Sequence, residues 1–513
     1  MVLDAFPRLF DLVTLVAMTR EENMSSDIGK TLLQERHIGG VLFDGGWRAA
    51  ANVVDAVEPA TGATLGRVGM ASPAAVAEAA ARARLAQPAW AATAYERRAE
   101  ILRKVAQVAE EHRAEIAGWI VRESGSVPAK AEFEVALTIK ALYEAAAMPS
   151  QAAGAVLPSQ PGRLSFAKRR PIGVVGVISP FNFPLYLAMR AVAPAIAVGN
   201  AVVLKPDPRT ALCGGHVIAR LFEEAGLPEG VLAVLPGDGA AGAALTEDRN
   251  IGMIQFTGST AAGRRVGEAA GRNLKKVSLE LGGKNSFIVL DDADLDLAVR
   301  NAVWSVYLHQ GQICMSAGRV LVQSGIAEKF TAMLADHAGR LPVGDPASGQ
   351  VALGPLINRA QADHALGIVK AAVAGGAKLE AGGSSDGLFL QPMVLAGVSP
   401  GNPAFAEEIF APVAVVTTFD TDEEAVALAN DTDYGLSAAI VSRNVGRALA
   451  LGERLNVGLL HINDATVNDE VVNPFGGVGA SGNGTSIGGP ANWEEFTQWQ
   501  WVTIRAEPPA YPL

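Results

Sequence analysis

The chain has 513 residues, 49% hydrophobic and 19% charged, with a net charge of −11. That length exceeds the roughly 100–200 residues of one ordinary domain, so two or three folded units are implied, and the composition excludes a disordered chain. The acidic balance argues against nucleic acid or an anionic membrane as a general partner, and no apolar run reaches the ~18 residues of a membrane span.

The chain carries 2 cysteines, Cys213 and Cys314, which excludes a disulfide framework or a Cys-rich metal site. Its histidines show no H-E-x-x-H or comparable spacing, so no metal is expected, and a reducing, cytoplasmic compartment is the natural setting.

Residues 1–35 read as an N-terminal extension. The stretch 1–18 is apolar but broken by Asp4, Arg8 and Asp11 with no basic leader, which argues against a secretory signal. An amphipathic helix, or a true start at Met24, fits better, and no function is assigned to it. From Val41 short strands and turns run to Val68, followed by helices over 73–85, 95–112, 114–124 and 129–147, with Ile101, Val105 and Val108 at helical spacing. Gly154, Pro158, Pro161 and Gly162 then break the pattern, and the apolar runs around them predict a pair of strands within 151–170 that leaves the domain body.

Strands follow at 173–179, 200–205, 230–235 and 251–256, alternating with helices at 185–198, 211–224 and from 260 to about 270. This rhythm predicts a parallel, doubly wound sheet. After Gly283 it restarts, with a strand at 285–290, a helix at 295–307, a strand at 319–323 and further αβ units to about Asn463, which predicts a second α/β domain.

Chemistry concentrates between Leu279 and Ser316. Leu279-Glu280-Leu281-Gly282-Gly283-Lys284 and Gly311-Gln312-Ile313-Cys314 offer a carboxylate and a thiol among small residues that leave the backbone approachable. Together they suit a covalent cycle in which a thiolate attacks a carbonyl and a carboxylate later activates water; alone, Cys314 reads more readily as a buried, inert thiol. The segment 258–263 follows a strand and opens a helix, so its N–H groups can face a phosphate, although it is neither the G-x-G-x-x-G fingerprint nor a P-loop. Lys205 ends a strand, and Asn182 sits in a Pro-bracketed loop where its amide can meet a developing oxyanion or simply make a turn.

In combination the segments SPFNFP (179–184), NAVVLKP (200–206), FTGST (256–260), LELGGK (279–284), GQIC (311–314), EEIFAPV (407–413) and PFGG (474–477) resemble the aldehyde dehydrogenase superfamily from about Val41 to Ile504. The resemblance implies Cys314 as the nucleophile, Asn182 as oxyanion holder and Glu280 as the base for thioester hydrolysis. It implies a cofactor, NAD or NADP, held by Ser179, Phe181, Lys205, Gly237, Gly258, Ser259, Gly263, Gly282, Glu408 and Phe410. It also implies a dinucleotide-binding domain over 36–150 and 171–282, a catalytic domain over 283–487, and an oligomerisation element from 151–170 and 488–513 that makes a homodimer or homotetramer.

SPFNFPLYLAMRAVAPA (179–195), KPDPRT (205–210), HQGQICMSAGR (309–319) and HINDATVNDE (461–470) are most similar to the benzaldehyde dehydrogenase branch. An aromatic aldehyde is then the expected substrate, with an aliphatic aldehyde or semialdehyde, or a catalytically retired binding protein, as rivals. Tyr186, Trp304 and Tyr307 are the expected pocket walls, with Arg190 and His309 orienting polar groups. Pro208 stands where many NAD-preferring members of the family carry a Glu, and Arg209 beside it suits a 2′-phosphate. Arg190-Ala191 replace a family Lys after the catalytic Asn, and Gly479 and Thr485-Ser486 replace a late Lys and Arg-Glu.

Overall fold

The computed structural model describes residues 31–512; the amphipathic helix expected in the first residues lies outside them. Two large α/β sheets and a three-stranded sheet organise the described chain, beside two short two-stranded pairings. The first sheet runs, from one edge, Lys276–Glu280, Met253–Thr257, Val174–Ile178, Ala201–Lys205 and Leu232–Val234, all parallel. Gly39–Asp44 then joins antiparallel to Leu232–Val234 and extends the sheet through Thr64–Met70 and Asn52–Val57.

Helices cover both faces of this sheet because its strands are apolar on both sides. In Ala201–Lys205, Val202 and Leu204 pack with the helices Tyr95–Glu111, Pro128–Ala147 and Pro184–Ala197. Ala201 and Val203 pack on the other face with Pro73–Ala91 and Gly239–Glu247. This is the two-residue period of a strand buried on both faces. The doubly wound architecture expected from the alternation of strands and helices is the one the chain adopts.

The second sheet runs Lys378–Ala381, Met393–Ala396, Val413–Phe419, Ala317–Gln323, Asn285–Val289, Ser437–Val441 and Leu459–Ile462. All its pairs are parallel except the first. Arg319 is buried in it and donates to the carbonyls of Lys284, Leu428, Ala429 and Asp431, tying the start of Asn285–Val289 to the loop after a distant helix. The third sheet pairs Gly154–Val156 with Arg163–Pro171, and Arg163–Pro171 with Thr497–Arg505 near the end of the chain.

One helix differs from its expected form. The segment expected as continuous over 211–224 opens with a π turn, Leu212–His216, before the α-helix Val217–Glu224. Its first N–H groups, those of Leu212 and Cys213, go to the buried carboxylate of Glu123 at 2.9 and 2.7 Å. Gly214 lies so close to Pro184 that a Cβ there would come within 2.8 Å, so the wider turn accommodates the neighbouring helix. Burial pushes the Glu123 carboxyl up to about 7. Cys213 is fully buried here, with its thiol pushed up by burial and by Glu123, and it takes the inert role that free cysteines usually have.

No helix among the described residues is long and apolar enough to cross a membrane, and no group of three or more His, Cys, Asp or Glu among them is placed to hold a metal ion.

Candidate active site

In the five parallel strands, Val174–Ile178 comes first in the chain. The next two strands lie to one side of it and the last two to the other. The order therefore reverses between Val174–Ile178 and Met253–Thr257, and a crevice opens where loops leave the carboxyl ends in opposite directions. Into it run Ser179 to Asn182 from the first strand, Lys205 from the second, Gly258-Ser259 from the fourth and Glu280 from the fifth.

A cavity of about 940 Å³ fills that crevice. Ser179, Phe181, Asn182, Lys205, Gly237, Gly258, Ser259, Gly282, Cys314, Glu408 and Phe410 line it. Ser259 begins the helix Thr260–Arg272, its hydroxyl accepting from Ala262 N at 3.4 Å, so the helix presents its N-terminal N–H groups at the cavity edge. Lys205 Nζ donates to Gly237 O at 2.8 Å, and burial lowers its pKa. Glu408 accepts from Gly283 N at 2.9 Å, and burial raises its pKa. Phe410 adopts φ 54°, and its ring meets Phe181 edge-on at 6.0 Å. Gly263 does not line the cavity: a Cβ there would fall 2.3 Å from Leu281 Cδ2, so this glycine lets the helix sit close against the neighbouring chain.

The residues present fit a dinucleotide. Ser179 lines the cavity, and its Oγ has no partner among the described residues. Gly282 leaves open a space where a Cβ would lie 2.3 Å from Glu408 Oε2, and the helix start supplies N–H donors for a diphosphate. Arg209 also lines the cavity, but its guanidinium is already engaged there, donating to both oxygens of Asp207 at 2.8 and 2.7 Å while lying 4.3 Å over the Phe181 ring. Its fork is thereby already matched to a carboxylate.

A second cavity, of about 20 Å³, adjoins the first and is lined by Leu187, Arg190, Gln255, Thr257, Glu280, Leu281, Cys314, Phe475 and Ile487. It has room for a single water. Cys314 lines both cavities, as do Leu187, Thr257 and Leu281. The loop that carries it is fixed from several sides. Gly311 turns at φ 68°, with Ala411 O only 2.3 Å from where a Cβ would stand, and Asn285 Nδ2 donates to Cys314 O at 2.7 Å and Ser316 O at 2.8 Å. Asn182 Nδ2 donates to Gln312 O at 2.9 Å, which places the side-chain amide beside the thiol's own loop.

Burial pushes both acids of the site upward. Burial, then Glu408, Glu280 and Asp469, push the Cys314 thiol up to about 12. Burial raises the Glu280 carboxyl well above the usual range, with Arg190 opposing and Glu495 and Asp469 adding to it. Neither Glu280 oxygen has a hydrogen-bond partner among the described residues.

The expected pocket walls divide. Arg190 lines the small cavity and pairs with Asp469 at 2.5 Å; Tyr186 lines neither cavity but is buried behind it and donates to the same carboxylate oxygen at 3.0 Å. Tyr307 and His309 require correction. Tyr307 is buried in the core of the second sheet, where its hydroxyl donates to Met393 O at 3.0 Å. His309, in a left-handed turn at φ 51°, is fully buried against the Phe183 ring, with Ser126 Oγ at 3.4 Å, and burial keeps it neutral. Trp304 is partly exposed and donates to Val467 O at 3.3 Å. None of these three lines either cavity. Asp469, Asn285 and Phe475 also shape the site; Asp469 lies in HINDATVNDE and Phe475 in PFGG, whereas Asn285 follows LELGGK with no signal of its own.

Residues 47–502 match the model of the aldehyde dehydrogenase family. The chain is 53% identical over 485 residues to a vanillin dehydrogenase of an Amycolatopsis species, covering 94% of this chain and 100% of that one. It is 48% identical over 476 residues to an NAD(+) benzaldehyde dehydrogenase of Pseudomonas putida, covering 92% and 98%. Its fold superposes on betaine aldehyde dehydrogenase from Staphylococcus aureus, solved in complex with NAD+, with TM-score 0.90 and 29% identity over 92% of this chain and 96% of that one. The chain belongs to the aldehyde dehydrogenase family.

Proposed function

We propose that the protein oxidises an aromatic aldehyde to its carboxylic acid with NAD, through a covalent thioester on Cys314. The observation that carries this reading is the shared wall: Cys314 faces the large cavity on one side and, on the other, a water-sized space with Glu280. Its similarity to vanillin and benzaldehyde dehydrogenases supports the aromatic substrate. The engagement of Arg209 by Asp207 supports NAD over NADP, because a 2′-phosphate would have to displace a bidentate carboxylate.

In this mechanism Cys314 Sγ, once deprotonated, adds to the aldehyde carbon, and the resulting oxyanion is held by Asn182 Nδ2–H and the Cys314 backbone N–H. When bound, NAD would supply the hydride acceptor and a positive charge that favours the thiolate. With hydride gone, the carbon is a thioester on Cys314. Glu280 takes a proton from water in the small cavity, hydroxide adds to the thioester carbon, and the Cys314–carbon bond breaks to release the acid. Lys205 and Glu408 would hold the two riboses, Ser259 and the helix start would bind the diphosphate, and Phe410 would bound the nicotinamide side. Residues 36–150 and 171–282 form the dinucleotide-binding domain, and 283–487 supply the thiol.

Initial rates with benzaldehyde and with hexanal, each with NAD and with NADP, test the assignment. Benzaldehyde with NAD is expected to give the highest kcat/KM. Faster turnover of hexanal would remove the aromatic assignment, and faster turnover with NADP would remove the cofactor preference.

The small sheet supports a homo-oligomer, dimer or tetramer. It exposes Val156 (77%), Trp501 (65%) and Trp499 (53%) on strands outside the two domain cores, a density of large apolar side chains that marks association surfaces. Light scattering is expected to give a multiple of the 53.1 kDa chain mass; a monomer at micromolar concentration would remove this part of the reading.

A further inference from the structure

The helix Pro128–Ala147 buries its face of Ala131, Val135, Thr138 and Leu142, and on that same face it buries a lysine and a glutamate one turn apart. Lys130 and Glu134 side chains are both 0% exposed, with Nζ 2.6 Å from Glu134 Oε2. Their remaining bonding capacity is directed at one place. Lys130 Nζ donates to Asn182 O at 2.7 Å and stands 4.0 Å over the Phe183 ring. Glu134 Oε1 accepts from Leu185 N at 2.8 Å and Tyr186 N at 3.1 Å. The helix Pro184–Ala197 has no side-chain cap of its own, so Glu134 caps it from another element.

Phe183 is held between Lys130 on one side and His309 on the other. The ion pair thus grips the loop of Asn182, the start of the helix carrying Leu187 and Arg190, and, through Phe183 and His309, the turn leading to Cys314. Two fully desolvated charges are a poor source of stability, since well-packed apolar residues often replace such a pair without loss. What the pair supplies here is direction.

We infer that Lys130 and Glu134 are positioning residues that set the Asn182 amide on the oxyanion formed at Cys314, an inference resting on the oxyanion role proposed above. The test compares Lys130→Met, the charge-neutral double variant Lys130→Met/Glu134→Gln, Asn182→Ala, and Lys130→Met combined with Asn182→Ala. Each is assayed for kcat, for KM of NAD and for Tm.

Lys130→Met and the neutral double variant are expected to lose about 30-fold or more in kcat, a part of what one oxyanion donor supplies, with the KM for NAD within about twofold of wild type. In the Asn182→Ala background, Lys130→Met is expected to change kcat by less than about threefold, because groups acting through one another are not additive. Should Lys130→Met fail to fold with Glu134 left unpaired, the neutral double variant is read in its place, with and without Asn182→Ala. An equal loss in both backgrounds would reduce the pair to a structural role and overturn the inference, as would wild-type kcat in the neutral double variant. If Asn182→Ala alone keeps wild-type kcat, the oxyanion reading itself fails and takes this inference with it. The two failures are therefore distinguishable.

Discussion

Cys314→Ala is expected to lower kcat/KM for the aldehyde on the order of 10⁴-fold or more while leaving NAD affinity and Tm close to wild type. The size follows from the chemistry: without the thiol there is no covalent adduct, and what remains is binding and an oxyanion site with nothing to stabilise. The conservation of fold follows from position. Cys314 is a wall between two cavities, so its sulfur fills no dense core. Its loop is held through backbone groups, by Asn285 at Cys314 O and Ser316 O, and these survive the substitution. The measurement is single-turnover cofactor reduction together with NAD titration. A variant that still reduces one equivalent of cofactor per site would remove Cys314 from the mechanism. The same logic gives the wild type a pH dependence in acylation. With the thiol pushed up to about 12, the unliganded protein holds it protonated at neutral pH, and alkylation by iodoacetamide is expected to be slow, rising with pH, and faster once NAD is bound.

The contrast between the two cysteines shows what the residue pattern carried. Both are single cysteines in segments rich in small residues, yet Cys213 packs at the base of a π turn and Cys314 opens onto cavities. The alternation of strands and helices was legible, and with it the carboxyl ends where Asn182, Lys205, Ser259 and Glu280 stand, because strand periodicity and the short turns after it are local properties. The walls of the substrate side were not. Tyr307 and His309 are two residues apart, yet one enters the core of the second sheet and the other faces Phe183. The left-handed backbone at His309 and Gln310 that separates them is set by Gln310 donating to Gly125 O and Pro355 O, contacts far away in the chain. Lys130 and Glu134 had a local signal, two charges on the apolar face of a helix, but their meaning depended on Asn182, 52 residues on.

Glu280→Gln is expected to separate the two halves of the reaction. Glutamine matches glutamate in shape but cannot take a proton, so acylation proceeds and hydrolysis stalls. The variant should reduce about one cofactor per site in a burst and then turn over some 10²–10⁴-fold more slowly than wild type. The pH dependence has a definite sign. Burial holds the Glu280 carboxyl protonated well above the usual carboxylate range, and Arg190 only partly opposes this. The wild-type hydrolysis rate should therefore climb with pH as the carboxyl ionises, whereas that of Glu280→Gln stays flat over the same range. A variant lacking the burst would place Glu280 in acylation instead, and one with wild-type steady-state rate would remove it as the base. Stability should move the other way. A carboxyl whose pKa is raised on folding is paid for as pH passes above its unfolded value, because the fold then binds a proton that the unfolded chain has released. Glu280→Gln is consequently expected to unfold at higher urea concentration than wild type, with the gain growing from acid to neutral pH. The unpartnered, desolvated carboxylate that makes a competent base is also a local cost to the fold, as active-site groups commonly are.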